Sequence, residues 1–188
     1  EGKFPASRLG EMLAARNVPA SAANNVSVVL ASTLNSARLQ ATMASLEAKV
    51  LDTNASLVIL DSVASICRGE FKRDELVERQ RVLSKLASTL KLMAETLHVA
   101  VVVTNHVMGG PNAVASESVA ISSDAKNLTA ALGNTWSHAI NVRVVLERSS
   151  LGESDGGATT CTCARVAKSP LSMEASCAYG ISASGVHA

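Results

Sequence analysis

Leu57-Val58-Ile59-Leu60 runs without a break into Asp61 and Ser62. Four apolar residues in a row suit a strand buried on both faces of a parallel sheet. An acid that closes such a strand stands at the carboxyl edge of the sheet, where open α/β sheets bind ligands. A carboxylate there can hold Mg2+, directly or through water. An Asp in this position also serves as a helix cap or turn former, and the strand alone does not choose between the two uses.

A carboxylate on a strand end needs a sheet and helices to hold it. Apolar runs predict three further strands, Val26–Leu30, Val99–Val103 and Ile140–Leu146. Helical spacing appears between them. Residues 36–50 place Leu39, Met43, Leu46 and Val50 on one face. Residues 74–97 repeat Leu83, Leu86, Ala87, Leu90, Met93, Ala94 and Leu97 at i, i+3, i+4 and i+7, with Glu78, Arg79, Arg81, Lys85 and Lys91 elsewhere on the wheel. Strands alternating with helices mean an α/β fold with a mostly parallel central sheet. Residues 108–130, rich in Gly, Ser, Asn and Ala, read as a long loop of the functional or disordered kind. Residues 148–159 read as a hairpin tip. Thr160–Val166 and Cys177–Ile181 read as an antiparallel edge at the C-terminal end.

Composition narrows the class. The 188 residues are 47% hydrophobic and 18% charged, which is globular rather than disordered. Aromatics make up 2%, so the core must be built from Val, Leu, Ile and Ala. A net charge of +1 argues neither for nor against nucleic acid, so any DNA contact must come from local clusters. Cys161-Thr162-Cys163 is too tight for a zinc half-site, and with Cys67 and Cys177 reads as reduced thiols, suited to the cytosol or nucleus. No apolar run approaches the ~18 residues of a membrane span, and the opening residues are not expected to be a signal peptide.

The order of motifs is more specific than any one of them. Asp61-Ser62-Val63-Ala64-Ser65 is followed by Arg68-Gly69-Glu70-Phe71, the long helix, Val101-Val102-Val103-Thr104-Asn105, Ala131-Leu132-Gly133-Asn134-Thr135-Trp136-Ser137-His138 and Ala167-Lys168-Ser169-Pro170-Leu171. This series resembles the eukaryotic recombinase paralogs of the RecA superfamily, above all the branch lettered B in vertebrates. The resemblance runs from Glu1-Gly2-Lys3-Phe4 to Gly185-Val186 and is weakest over residues 17–40 and 108–128. It implies a RecA-like ATPase core, residues 1–188 being part of one such domain, with an antiparallel C-terminal edge. It further implies ATP and Mg2+ as cofactors. Glu1 would be the carboxylate that activates water, and Asp61 the metal-facing acid.

Other roles carry over by position. Asn105 matches a sensor amide that reads the γ-phosphate; a polar strand end facing water would look the same. His106 stands where the family usually has Gln, which puts normal coupling of nucleotide to DNA in question. His138 matches a histidine near a neighbouring subunit's nucleotide; a packed core histidine is the rival account. Lys168 resembles the residue that caps ATP across a subunit interface, or is simply an exposed lysine at a strand end. Residues 67–76 match the first DNA loop, with Arg68, Lys72 and Arg73 as cations, and residues 107–130 the second, with Lys126 its only cation. Phe71 is the only aromatic in either loop, so modest affinity and strong salt dependence are expected.

No G-x-x-x-x-G-K-[ST] phosphate loop occurs in the sequence. The resembling proteins carry it just ahead of the segment like Glu1–Phe4. The sequence is therefore expected to be a fragment and, as written, to bind nucleotide poorly. The implied function is homologous-recombination DNA repair in the nucleus, through ATP-dependent single-stranded DNA binding and recombinase filament assembly. The implied partners are single-stranded DNA, other paralogs in a hetero-oligomer and the recombinase filament. The rival is a non-catalytic RecA-fold scaffold subunit of a paralog complex.

Overall fold

The computed structural model describes residues 4–29, 36–64, 75–109, 128–130, 132–151 and 159–188. The chain divides into two compact units. One is Ala31–Ile140; the other joins Gly2–Leu30 to Asn141–Ala188.

The first unit holds α2 (Ser36–Thr53), β1 (Leu57–Leu60), α3 (Leu76–Thr96), β2 (Ala100–Val103), β3 (Val107–Gly109), β4 (Leu128–Ala130) and α4 (Gly133–Ala139). β1 and β2 pair in parallel, Leu57 with Ala100 through Leu60 with Val103. Parallel partners need a crossover, and α3 supplies it. Its predicted stripe is buried at Leu83, Leu86, Ala87, Leu90 and Met93, while Ala94 and Leu97 are half-buried. α2 contributes Met43 and Val50 to the same core, and α4 contributes Trp136. The helices stop where the backbone turns left-handed: α2 before Asn54, at φ 47°, and α3 just before His98, at φ 53°. Asn tolerates that conformation as a C-terminal cap.

Two expectations fail in this unit. The β1–β2 pair is not buried on both faces, because Val58 is in the core while Leu57, Ile59 and Val102 are exposed. The helices cover one face of the pair among the described residues. The stretch 108–130 is also not wholly loop, since β3 and β4 pair antiparallel, Val107 with Ala130.

The second unit holds α1 (Ala6–Ala15), a 3-10 turn (Ala20–Asn25) and an antiparallel sheet of β5 (Arg143–Leu151), β6 (Thr159–Lys168), β7 (Ala175–Ser182) and β8 (Gly185–His187), in that order. The predicted antiparallel pairing of β6 with β7 is present, Ala164 opposite Cys177. β5 starts at Arg143, three residues later than the apolar run suggested. Val26 is extended, but Val26–Val29 joins no strand, so the strand expected there is absent from its described residues. Val26 N–H turns back to Ala23 O (3.1 Å), and apolar content alone makes no strand without a pairing strand beside it.

α1 is fastened to the β7–β8 hairpin by two arginines. Arg8 donates to the carbonyls of Ala183 (2.9 Å) and Ser182 (2.7 Å). Arg16 donates to those of Ser184 (2.9 Å) and Val186 (2.5 Å). Gly185 sits beneath them at φ +99°, where an added Cβ would lie 2.7 Å from Met12 Cε. On the sheet, Arg165 bridges Glu147 (2.7 Å) and Glu174 (2.5 Å). Its hydrogen bonds to Glu147 first, then Glu174, hold the guanidinium pKa above its ordinary value. The stabilisation is lost only as pH rises beyond the arginine range, so it is constant near neutrality. Among the described residues no helix is long and apolar enough to cross a membrane.

Leu83 is 1% exposed, so Leu83→Ala should cost about 2–5 kcal/mol, read as a lower urea midpoint. Gly185→Ala should also lower the midpoint, by roughly 1–3 kcal/mol, because a Cβ is strained at φ +99° even where the flexible end of Met12 moves aside.

Candidate nucleotide and metal edge

The site is built where β1 and β2 end side by side. Their register puts Asp61 and Thr104 next to each other, one residue beyond the last pair, Leu60 and Val103. The main chain is tied across this point in both directions. Thr104 N–H donates to Leu60 O (3.0 Å), and Val63 N–H donates to Thr104 O (3.1 Å). The Thr104 hydroxyl donates to Asp61 Oδ1 at 2.6 Å. An ionised carboxylate only accepts, so the proton in this bond comes from threonine. Asp61 is exposed, and among the described residues its Oδ2 takes no hydrogen bond. The Asp61–Ser62 peptide is cis.

A second link lies beside the first. Ser62 is 3% exposed, and its Oγ is 3.1 Å from His106 Nε2. A hydroxyl can donate or accept, so either imidazole tautomer can make this bond. Asn105 Oδ1 accepts the His106 backbone N–H at 2.8 Å. The carbonyl half of the Asn105 amide is thereby occupied, and its NH2 is the half left to donate. Asp61, Ser62, Thr104, Asn105 and His106 form one cluster on one sheet edge.

A hard cation suits this edge. Among the described residues no group of three His, Cys, Asp or Glu could enclose a metal. Mg2+ does not need such a cage, because it is commonly bound through one or two carboxylates with water and phosphate oxygens completing its shell. One exposed carboxylate with an open Oδ2 matches that habit. Zn2+, which wants four N or S ligands, does not fit.

The other sequence candidates are spread out. His138 is exposed in the last turn of α4, so the packed-core account of it is wrong; Trp136, two residues earlier, is the buried one at 4%. Lys168 belongs to the second unit, at the exposed end of β6 in register with Arg143. Glu1, Arg68, Lys72, Arg73 and Lys126 lie outside the described residues. Thr104 and Ser62 were not singled out from the sequence. Thr104 holds the same offset from the end of β2 that Asp61 holds from the end of β1, but only the parallel register of the two strands makes that offset a contact.

A family model described as Rad51 matches residues 1–188. The chain belongs to the Rad51 family. Its RecA-like α/β fold, with a parallel strand pair and antiparallel sheets among the described residues, agrees with that membership. The chain is 33% identical over 162 residues to mouse DNA repair protein RAD51 homolog 2, covering 76% of this chain and 43% of that protein. It is 36% identical over 118 residues to the human protein of that name, covering 55% and 31%. It is 36% identical over 101 residues to DNA repair and recombination protein RadA of Aeropyrum pernix, covering 53% and 29%. The chain thus spans less than half the length of these Rad51-family relatives.

Proposed function

We propose that this Rad51-family chain serves homologous-recombination DNA repair as a RecA-like recombinase paralog. Its metal edge would be Asp61 and its working ligand Mg2+ with ATP. The observation that carries the reading is the exposed Asp61 carboxylate at the carboxyl end of a parallel strand, with Oδ1 held by Thr104 and Oδ2 open. The names of the relatives, repair and recombination proteins, point the same way. Bound Mg2+ supplies positive charge that offsets the phosphates of a nucleotide. Asp61 orients the ion. The Asn105 NH2 is a donor for phosphate oxygens, while the His138 imidazole and Lys168 are each assigned to the nucleotide of a neighbouring subunit. Glu1 is assigned to the attacking water. Arg68, Lys72, Arg73 and Lys126 are assigned to the phosphates of single-stranded DNA. Other recombinase paralogs and the recombinase filament are the expected partners, and the nucleus the expected location.

A second reading is a scaffold subunit that binds its neighbours without turning over ATP. The Ser62–His106 bond favours it, because a ring nitrogen engaged with serine does not reach phosphate.

Asp61→Asn in the intact protein should remove the Mg2+-dependent part of ATP affinity, about tenfold or 1.4 kcal/mol. It should leave affinity in EDTA unchanged. Titrations of a fluorescent ATP analogue that do not differ between variant and parent would sink the metal role. Reversing Arg68, Lys72 and Arg73 to Glu should weaken single-stranded DNA binding and flatten its salt dependence. Three lost contacts at about 0.7 each lower the slope of log K against log salt by roughly 2. An unaltered anisotropy isotherm at low salt would remove these residues from the interface.

A further inference from the structure

We infer that Thr104 is the positioning residue for the Asp61 carboxylate, fixing which oxygen faces the metal. The inference rests on the metal-facing reading of Asp61. Thr104 Oγ1 is 2.6 Å from Asp61 Oδ1, and that oxygen has no other hydrogen bond among the described residues. Both side chains are exposed, so Asp61 is not held by packing. Without a partner, an exposed aspartate turns freely about its terminal torsion and presents either oxygen. One hydroxyl proton breaks that symmetry: Oδ1 is engaged, and Oδ2 is the oxygen left for a cation or its water.

The threonine is itself fixed. Its N–H is bound to Leu60 O at 3.0 Å and its carbonyl to Val63 N–H at 3.1 Å. The two bonds span the residues on either side of Asp61, so Thr104 and the carboxylate belong to one closed frame. The branched Cβ then restricts χ1 and with it the hydroxyl. Serine would supply the same proton from a looser side chain. Valine would keep the shape and lose the proton.

The test uses Mn2+ alone as the probe, with the 15N-labelled 188-residue chain. The reading is paramagnetic broadening of the Ser62 and Val63 amides across a MnCl2 titration. Thr104→Val should weaken that broadening about fivefold, the expected effect of losing one charge-assisted hydrogen bond at an exposed site. Thr104→Ser should restore it to within about twofold of the parent. Asp61→Asn should abolish it. If Thr104→Val loses its amide dispersion, Thr104→Ala serves as the second variant without a hydroxyl. Broadening that survives Asp61→Asn overturns the metal reading and this inference with it. Broadening lost in Asp61→Asn but intact in Thr104→Val or Thr104→Ala overturns the positioning role alone. Thr104→Ser as weak as Thr104→Val also overturns it, because the hydroxyl would then not be the group that matters.

Discussion

The parallel pairing of β1 with β2 sets the geometry of this edge of the molecule. Parallel strands finish at the same end, so the residues just past their last pair become neighbours. Leu60 opposite Val103 therefore puts Asp61 beside Thr104. A slip of one residue would turn every side chain of β1 to the other face. Val58 would leave the core, and Ile59, 62% exposed, would have to enter it. The packed side of the pair resists that exchange. Burial of Val58 and Val99 against the α3 stripe pins the register, and the register assembles the site.

The two units are held by different forces. In the first, leucine and methionine side chains on α3 and α2 bury against the strands, each contributing about 1.5–3 kcal/mol where burial is full. The second has few fully buried residues among those described, and Leu146, Ile181 and Val186 are exposed. There the sheet ladders and charged side chains do more of the holding. Arg8 and Arg16 close the carbonyls of the β7–β8 hairpin, and Arg165 on β6 holds Glu147 on β5 and Glu174 just ahead of β7. A chain with 2% aromatics has little large apolar surface to divide between two units, and the apolar share went to the first.

Periodicity made α3 legible down to the residue, because a helix that buries one stripe must repeat it every three or four positions. Leu57–Leu60 and Ala100–Val103 were legible as strands for a similar reason. Their burial was not. A run of four apolar residues says that a strand can be covered on both faces; it does not say that both are, and Leu57, Ile59 and Val102 are exposed. Val26–Val29 shows the same gap, since a strand requires a partner that local sequence cannot name. α1 went unread because its apolar face, Leu9, Met12 and Leu13, is short and only half-buried, with arginine contacts to a hairpin more than 160 residues away fastening it. Asp61 was readable as a candidate from its strand. Thr104 depended on register, which sequence patterns leave open.

His106 carries the consequence furthest. In the sequence it stood out only as an imidazole where the family favours an amide side chain. In the structure its ring meets Ser62 and its backbone N–H meets the Asn105 side chain. The segment leaving β2 is therefore tied to itself and to the residue adjoining Asp61. An amide and an imidazole differ here in a definite way. Glutamine carries its donor and acceptor on a flexible stem of three torsions, whereas histidine holds its nitrogen on a rigid ring two torsions from the backbone. A rigid ring engaged with a buried hydroxyl keeps the chain after β2 close to β1. Movement of that chain must break the Ser62 bond or carry Ser62 along, and Ser62 is joined directly to Asp61. The route between the Asp61 edge and the segment beyond His106 is thus one side-chain bond long, with Asn105 bracing it from the β2 side.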